Sequence, residues 1–191
     1  MAAPPALRMT AREFIEDHPE IPDNAQLVHG EVVLVSAPAR AHTRVMRAIF
    51  VALYNHATPR GLGEVYPDGT GYELPPDDDT VRLPGVSFVA AGREPAEVGL
   101  RGIPRMAPDL AVEVLSPSDT PKEVREKRED YLNGGSGVVW LVDIDARGVE
   151  VWTSDRRSRW VGEDGTLDGA PALPDFSVPV RELFAGVARD A

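Results

Sequence analysis

The feature that most constrains the fold is an apolar strand with a carboxylate in its middle. In Pro108-Asp109-Leu110-Ala111-Val112-Glu113-Val114-Leu115-Ser116-Pro117-Ser118, a strand's alternation points Leu110, Val112 and Val114 one way. It points Asp109, Ala111, Glu113 and Leu115 the other. The run is apolar enough for a central strand. An ionised Glu there is costly unless it is paired, hydrogen-bonded or bound to metal. Pro117 stops the strand, and a charged helix is predicted from about Pro121 to Asn133, bearing Lys122, Arg125, Lys127 and Arg128 and ending at Gly134-Gly135. Residues 138–143 then read as a fully buried strand. Strand–helix–strand predicts two parallel strands joined by a right-handed crossover. The fold class that follows is α/β (α+β): a mixed β-sheet flanked by helices, in a single domain.

The rest of the chain fits that class. Thr10-Ala11-Arg12-Glu13 is a capping box for a short helix reaching about His18, where Pro19 and Pro22 end it. Residues 26–29 and 31–36 flank Gly30 as a hairpin or a kinked strand pair. From about Ala41 to Ala57 the apolar residues Val45, Ile49, Ala52 and Leu53 recur at helical spacing, with Arg40, Arg44 and Arg47 on another face. Short strands are predicted at 62–66, 71–74 and 86–90, and residues 91–107 form a long connection. Strands at 149–152 and 159–161 and a short helix at 180–184 complete the order. The expected boundaries are a lead at 1–9, the domain at 10–187 and a tail at 188–191.

Length and charge bound the function. A chain of 191 residues suits one domain with a sizeable core. No apolar run approaches the ~20 residues of a membrane span, and the N-terminus does not resemble a secretory signal. With no cysteine, disulfides, thiolate metal sites and a Cys nucleophile are excluded; a cytoplasmic protein with no membrane partner is expected. The net charge of −11 argues against strong nonspecific nucleic-acid affinity, while leaving room for a local basic groove.

Familiar motifs are absent. Gly134-Gly135-Ser136-Gly137 follows a helix and lacks the Lys-Ser/Thr ending of a phosphate loop. There is no G-x-S-x-G elbow. The histidines at 18, 29, 42 and 56 lack zinc spacing; His42 is either a surface or capping residue or part of a site lining. What remains is carboxylates with a Lys. Glu31 opens an apolar strand, Glu113 sits within another, and Lys127 projects from the following helix. Two carboxylates holding Mg²⁺, with a Lys beside a charged transition state, would suit phosphodiester hydrolysis. The alternative is a structural Glu–Lys or Glu–Arg pair.

At these residues the chain resembles the Uma2 family of restriction-endonuclease-like proteins with the PD-(D/E)xK nuclease fold. The resemblance runs from Met9-Thr10-Ala11-Arg12-Glu13-Phe14 to Leu183-Phe184. It rests on Leu27-Val28-His29-Gly30-Glu31-Val32-Val33, His42, the 108–118 stretch, Glu126-Lys127 with Tyr131, Gly135, and Val139-Trp140-Leu141-Val142-Asp143. It implies an endonuclease, a hydrolase using Mg²⁺ or Mn²⁺ on DNA, with a homodimer as a common form. It implies Glu31 and Glu113 as metal ligands, and Lys127 in place of the usual strand Lys, whose position holds Leu115. One departure stands out. Where the resemblance implies a Pro-Asp before the preceding strand, this chain has Pro84-Gly85, which cannot bind metal. Asp77, Asp78 and Asp79 are candidates to compensate. The competing expectation is a catalytically inactive nuclease-fold module for binding or assembly.

Overall fold

The computed structural model describes residues 8–35, 38–95 and 102–188. Residues 1–7 of the expected lead, Ser36, part of the 91–107 connection and residues 189–191 of the tail lie outside them. The centre is the predicted unit. β7 (Leu110–Val114) runs parallel to β8 (Val138–Asp143), and α2 (Pro121–Gly134) crosses between them. β8 pairs antiparallel with β9 (Gly148–Thr153), which pairs with β10 (Ser158–Gly162). On the other side β7 pairs with β6 (Val86–Ala90), and β6 with β3 (Gly63–Pro67). The result is a six-stranded mixed sheet in the order β10-β9-β8-β7-β6-β3.

Two layers bury this sheet, so β7 and β8 are apolar on both faces. Leu110, Val112 and Val114 of β7, with Val138, Trp140 and Val142 of β8, pack in one cluster with Val45, Met46, Ile49 and Leu53 of α1 (Arg40–Ala57). Ala111, Val139 and Leu141 face the opposite way, with Tyr131 and Leu132 of α2. Glu113 belongs to this second face. Its residue retains only 6% of its exposure.

The chain does not make one sheet only. A hairpin, β1 (Ala25–Val28) and β2 (Glu31–Leu34), turns at His29 (φ 48°) and Gly30 (φ 80°), left-handed positions that Gly adopts without strain. It extends into a second sheet, β2-β1-β5-β4, through β5 (Val81–Arg82) and β4 (Tyr72–Glu73). β5 is two residues long, too short to show a period in sequence. Leu27 and Val81 pack there with Ala11 and Phe14 of the N-terminal helical turn. β11 (Thr166–Asp168) pairs with β12 (Ser177–Pro179), two further short strands the sequence pattern does not reveal. α3 (Val180–Leu183) closes the chain's last ordered element.

Candidate functional site

The site is built at the carboxyl end of β7, where a parallel strand pair presents its ligand-accessible edge. Glu113 is one residue from that end and points at α2. α2 begins with a capping box: Thr120 Oγ1 accepts from the Glu123 N–H at 3.2 Å, and the Glu123 carboxylate accepts from the Thr120 N–H at 2.7 Å. It ends at Gly135, left-handed at φ 107°. With both ends fixed, Lys127 and Tyr131, four residues apart, share the helix face over the strand.

Tyr131 donates its hydroxyl to Glu113 Oε1 at 2.7 Å. Lys127 Nζ lies 3.7 Å from Glu113 Oε2. The same Nζ donates to Asp119 Oδ1 at 3.3 Å. Asp119 is held by its other oxygen, which accepts from the Ser116 N–H at 2.7 Å. Two carboxylates therefore converge on one ammonium. Burial pulls the Lys127 pKa down, but the Glu113 and Asp119 charges outweigh it and the net shift is upward. Burial, then the Glu113 charge, push the Tyr131 phenol well above its usual value. At neutral pH Lys127 is thus a cation and Tyr131 a neutral donor. Neither is a general base.

A second buried cluster adjoins. Arg82 donates from Nε (2.8 Å) and Nη2 (2.5 Å) to Asp130 Oδ2, and from Nη1 to Gln26 Oε1 at 3.2 Å. His29 Nε2 is 3.4 Å from Asp130 Oδ1. This ties the β1–β2 turn to α2.

The structure thus brings Glu113 and Lys127 together as the sequence reading expected. Glu31, just past the same turn, is exposed, and among the described residues its side chain makes no hydrogen bond or ion pair with Glu113 or Lys127. His42 is half-buried inside the fold: its Nε2 is 2.7 Å from the Val114 carbonyl, which can only accept, so the ring donates there. A Cβ on Gly85 would lie 2.9 Å from Met46 Sδ and 3.4 Å from the Val112 carbonyl. That is the α1 side of β7, opposite to Glu113. Asp78 and Asp79 use their main-chain carbonyls to accept from Ala11 and Gly30. Asp79 Oδ1 accepts from the Thr80 hydroxyl at 3.0 Å. Asp109 is engaged elsewhere, accepting from the Ala90 N–H at 2.8 Å and pairing with Arg93.

Sequence reasoning missed Asp119, Arg82 and Asp130. Asp119 had a readable signal, since it precedes Thr120-Pro121-Lys122-Glu123, a second capping box. Arg82 had a weaker one, a lone charge between Val81 and Leu83.

The donor set fits a divalent ion in kind. Mg²⁺ takes one or two carboxylates and keeps several waters, and Glu113 and Asp119 already share one cation, the Lys127 ammonium. Among the described residues no group of three or more Asp, Glu or His is placed to hold an ion.

A six-stranded mixed sheet covered by helices, with acids and a Lys at the carboxyl end of its parallel pair, defines a nuclease-fold α+β protein. The fold is shared with a protein of Anabaena variabilis whose crystal structure is described as that of a "putative nuclease": the TM-score is 0.78 at 19% identity, over 92% of this chain and 97% of that one. The chain belongs to the Uma2 family, described as "Putative restriction endonuclease", whose model matches residues 13–181. No curated protein matches its sequence. Among the described residues no helix is long and apolar enough to cross a membrane.

Proposed function

We propose that the protein is a nuclease of the PD-(D/E)xK type that hydrolyses phosphodiester bonds in DNA with Mg²⁺ or Mn²⁺. Family and fold support a nuclease-like function. The observation that carries the finer reading is the convergence of Glu113 and Asp119 on Lys127. In this reading Glu113 and Asp119 hold the ion. Bound there, it would act as a Lewis acid on a phosphoryl oxygen and lower the pKa of a coordinated water. Lys127, held protonated, stabilises negative charge developing on the phosphate. Tyr131 fixes the Glu113 carboxylate by occupying Oε1. Glu31 is left out of the ligand pair because its side chain is exposed and unbonded. Gly85 supplies no carboxylate.

A second reading, a nuclease-fold binding module without catalysis, is favoured by one observation: the Lys127 ammonium already balances both carboxylates, and among the described residues no third Asp, Glu or His joins them. Supercoiled and linear DNA incubated with Mg²⁺ or Mn²⁺ separates the two. The nuclease reading expects cleavage that Glu113→Gln abolishes without changing the thermal unfolding midpoint by more than a few degrees. Intact DNA with both metals would leave only the module. The same preparation run by sedimentation velocity tests for a homodimer, for which the exposed β2 edge, Val32 to Leu34, offers an apolar surface.

A further inference from the structure

The outer face of α1 carries a stripe of cations with no acidic partner among the described residues. Arg40, Arg44 and Arg47 recur at spacings of four and three, so they stand in one row. All three are exposed. With Pro38 and Thr43 they line an open cleft of about 250 Å³. Arg44 is anchored by donation from Nη1 to the Gly186 carbonyl at 2.6 Å. In a chain of net charge −11, Arg82, Arg105, Arg128, Arg147 and Arg159 each meet an acid. Among the described residues none of these three does. They also occupy the amino-terminal half of α1, where cations oppose the helix dipole, and no acid accompanies them in the first turn. So the row weakens its own helix and is not offset by pairing within the fold.

Its place is informative. His42, two residues past Arg40, donates to the Val114 carbonyl beside Glu113. The stripe therefore starts next to the strand end that carries the candidate site. The row, seven residue steps from Arg40 to Arg47, spans ~10 Å at ~1.5 Å per residue, long enough to meet more than one phosphate of a strand. Guanidinium forks suit phosphate oxygens better than a point charge does.

We propose that Arg40, Arg44 and Arg47 form a track for one phosphate backbone of duplex DNA. This rests on the nuclease reading above and adds the surface that holds the substrate. It also reconciles an acidic protein with a polyanionic substrate, because binding is confined to one local row.

The test is binding of a fluorescent duplex by anisotropy across a salt series, in a Glu113→Gln background that keeps the DNA intact. Each phosphate contact contributes about 0.9 to the slope of log K against log salt. The pair Arg40→Gln/Arg47→Gln should make the slope shallower by about 1.8, and Arg40→Lys/Arg47→Lys should retain it. Both pairs are exposed, so thermal melts should match the background. An unchanged slope in the glutamine pair, while the background binds DNA, overturns the track and leaves the nuclease reading standing. No binding by the background also overturns the track. If the unvaried chain then cleaves no DNA either, the nuclease reading falls with it.

Discussion

Replacing Lys127 by Met isolates the charge at the centre of the site, since Met keeps the apolar stem and drops the ammonium. Glu113 would keep the Tyr131 hydrogen bond on Oε1 and lose the cation facing Oε2. Stripping one partner from a buried pair typically costs about 3–5 kcal/mol. Asp119 loses the same ammonium. Lys127 retains 20% of its side-chain exposure, so solvent already screens part of the pair. The expected loss is about 2–4 kcal/mol at pH 7.

The double variant is the sharper signature. Urea unfolding of parent, Lys127→Met and Glu113→Gln/Lys127→Met at pH 7 measures it. The double variant should recover part of the loss, since no charge is left on the strand, while Asp119 still lacks the ammonium. A double variant no more stable than the single one would refute the assignment of Glu113 and Lys127 as a buried charge pair.

Two further outcomes follow from the same geometry. Tyr131 has its folded pKa raised by burial and by Glu113, so its contribution is fully present below the unfolded value of 10.0 and is lost as pH rises above it. Tyr131→Phe should therefore flatten the fall in stability between pH 9 and 11 by up to about 1.4 kcal/mol per unit; parallel curves in chemical denaturation would count against this. Gly85→Asp would start its side chain against Met46 Sδ, on the side of β7 away from Glu113. It should cost roughly 1–3 kcal/mol by overpacking without increasing DNA cleavage; a gain in cleavage would show that position 85 does reach the site.

The parts of the fold legible in the sequence were those with a long period. The eighteen residues of α1 and the five of β7 show their buried faces by spacing alone, and strand–helix–strand gave the parallel β7–β8 pair. The split into sheets was not legible. β5, β11 and β12 are two or three residues long, and such segments hold their place by pairing and by neighbours distant in sequence. The site divides the same way. Glu113 was visible because a carboxylate in an apolar strand is anomalous. Lys127 was one of several cations on its helix; it was named as a partner for Glu113 on chemistry, and the resemblance put it in place of the usual strand Lys. Asp119 sits in a turn where Asp is ordinary, and only folding that turn back over α2 turns it toward Lys127.

The two sides of β7 explain why Gly85 matters less to the Glu113–Lys127 pair than its sequence position suggests. Side chains alternate along a strand, so Val112 and Val114 meet α1 while Glu113 meets α2. Gly85 approaches β7 closely, its N–H donating to the Val112 carbonyl at 3.0 Å, and the space where its side chain would begin is filled by Met46. A carboxylate at this position would have to displace buried thioether and cross the sheet to reach Glu113. Asp119 faces no such barrier, since the loop leaving β7 carries it to the α2 side, and its backbone-anchored oxygen sets its orientation. The second carboxylate of this site therefore comes from the loop after the strand.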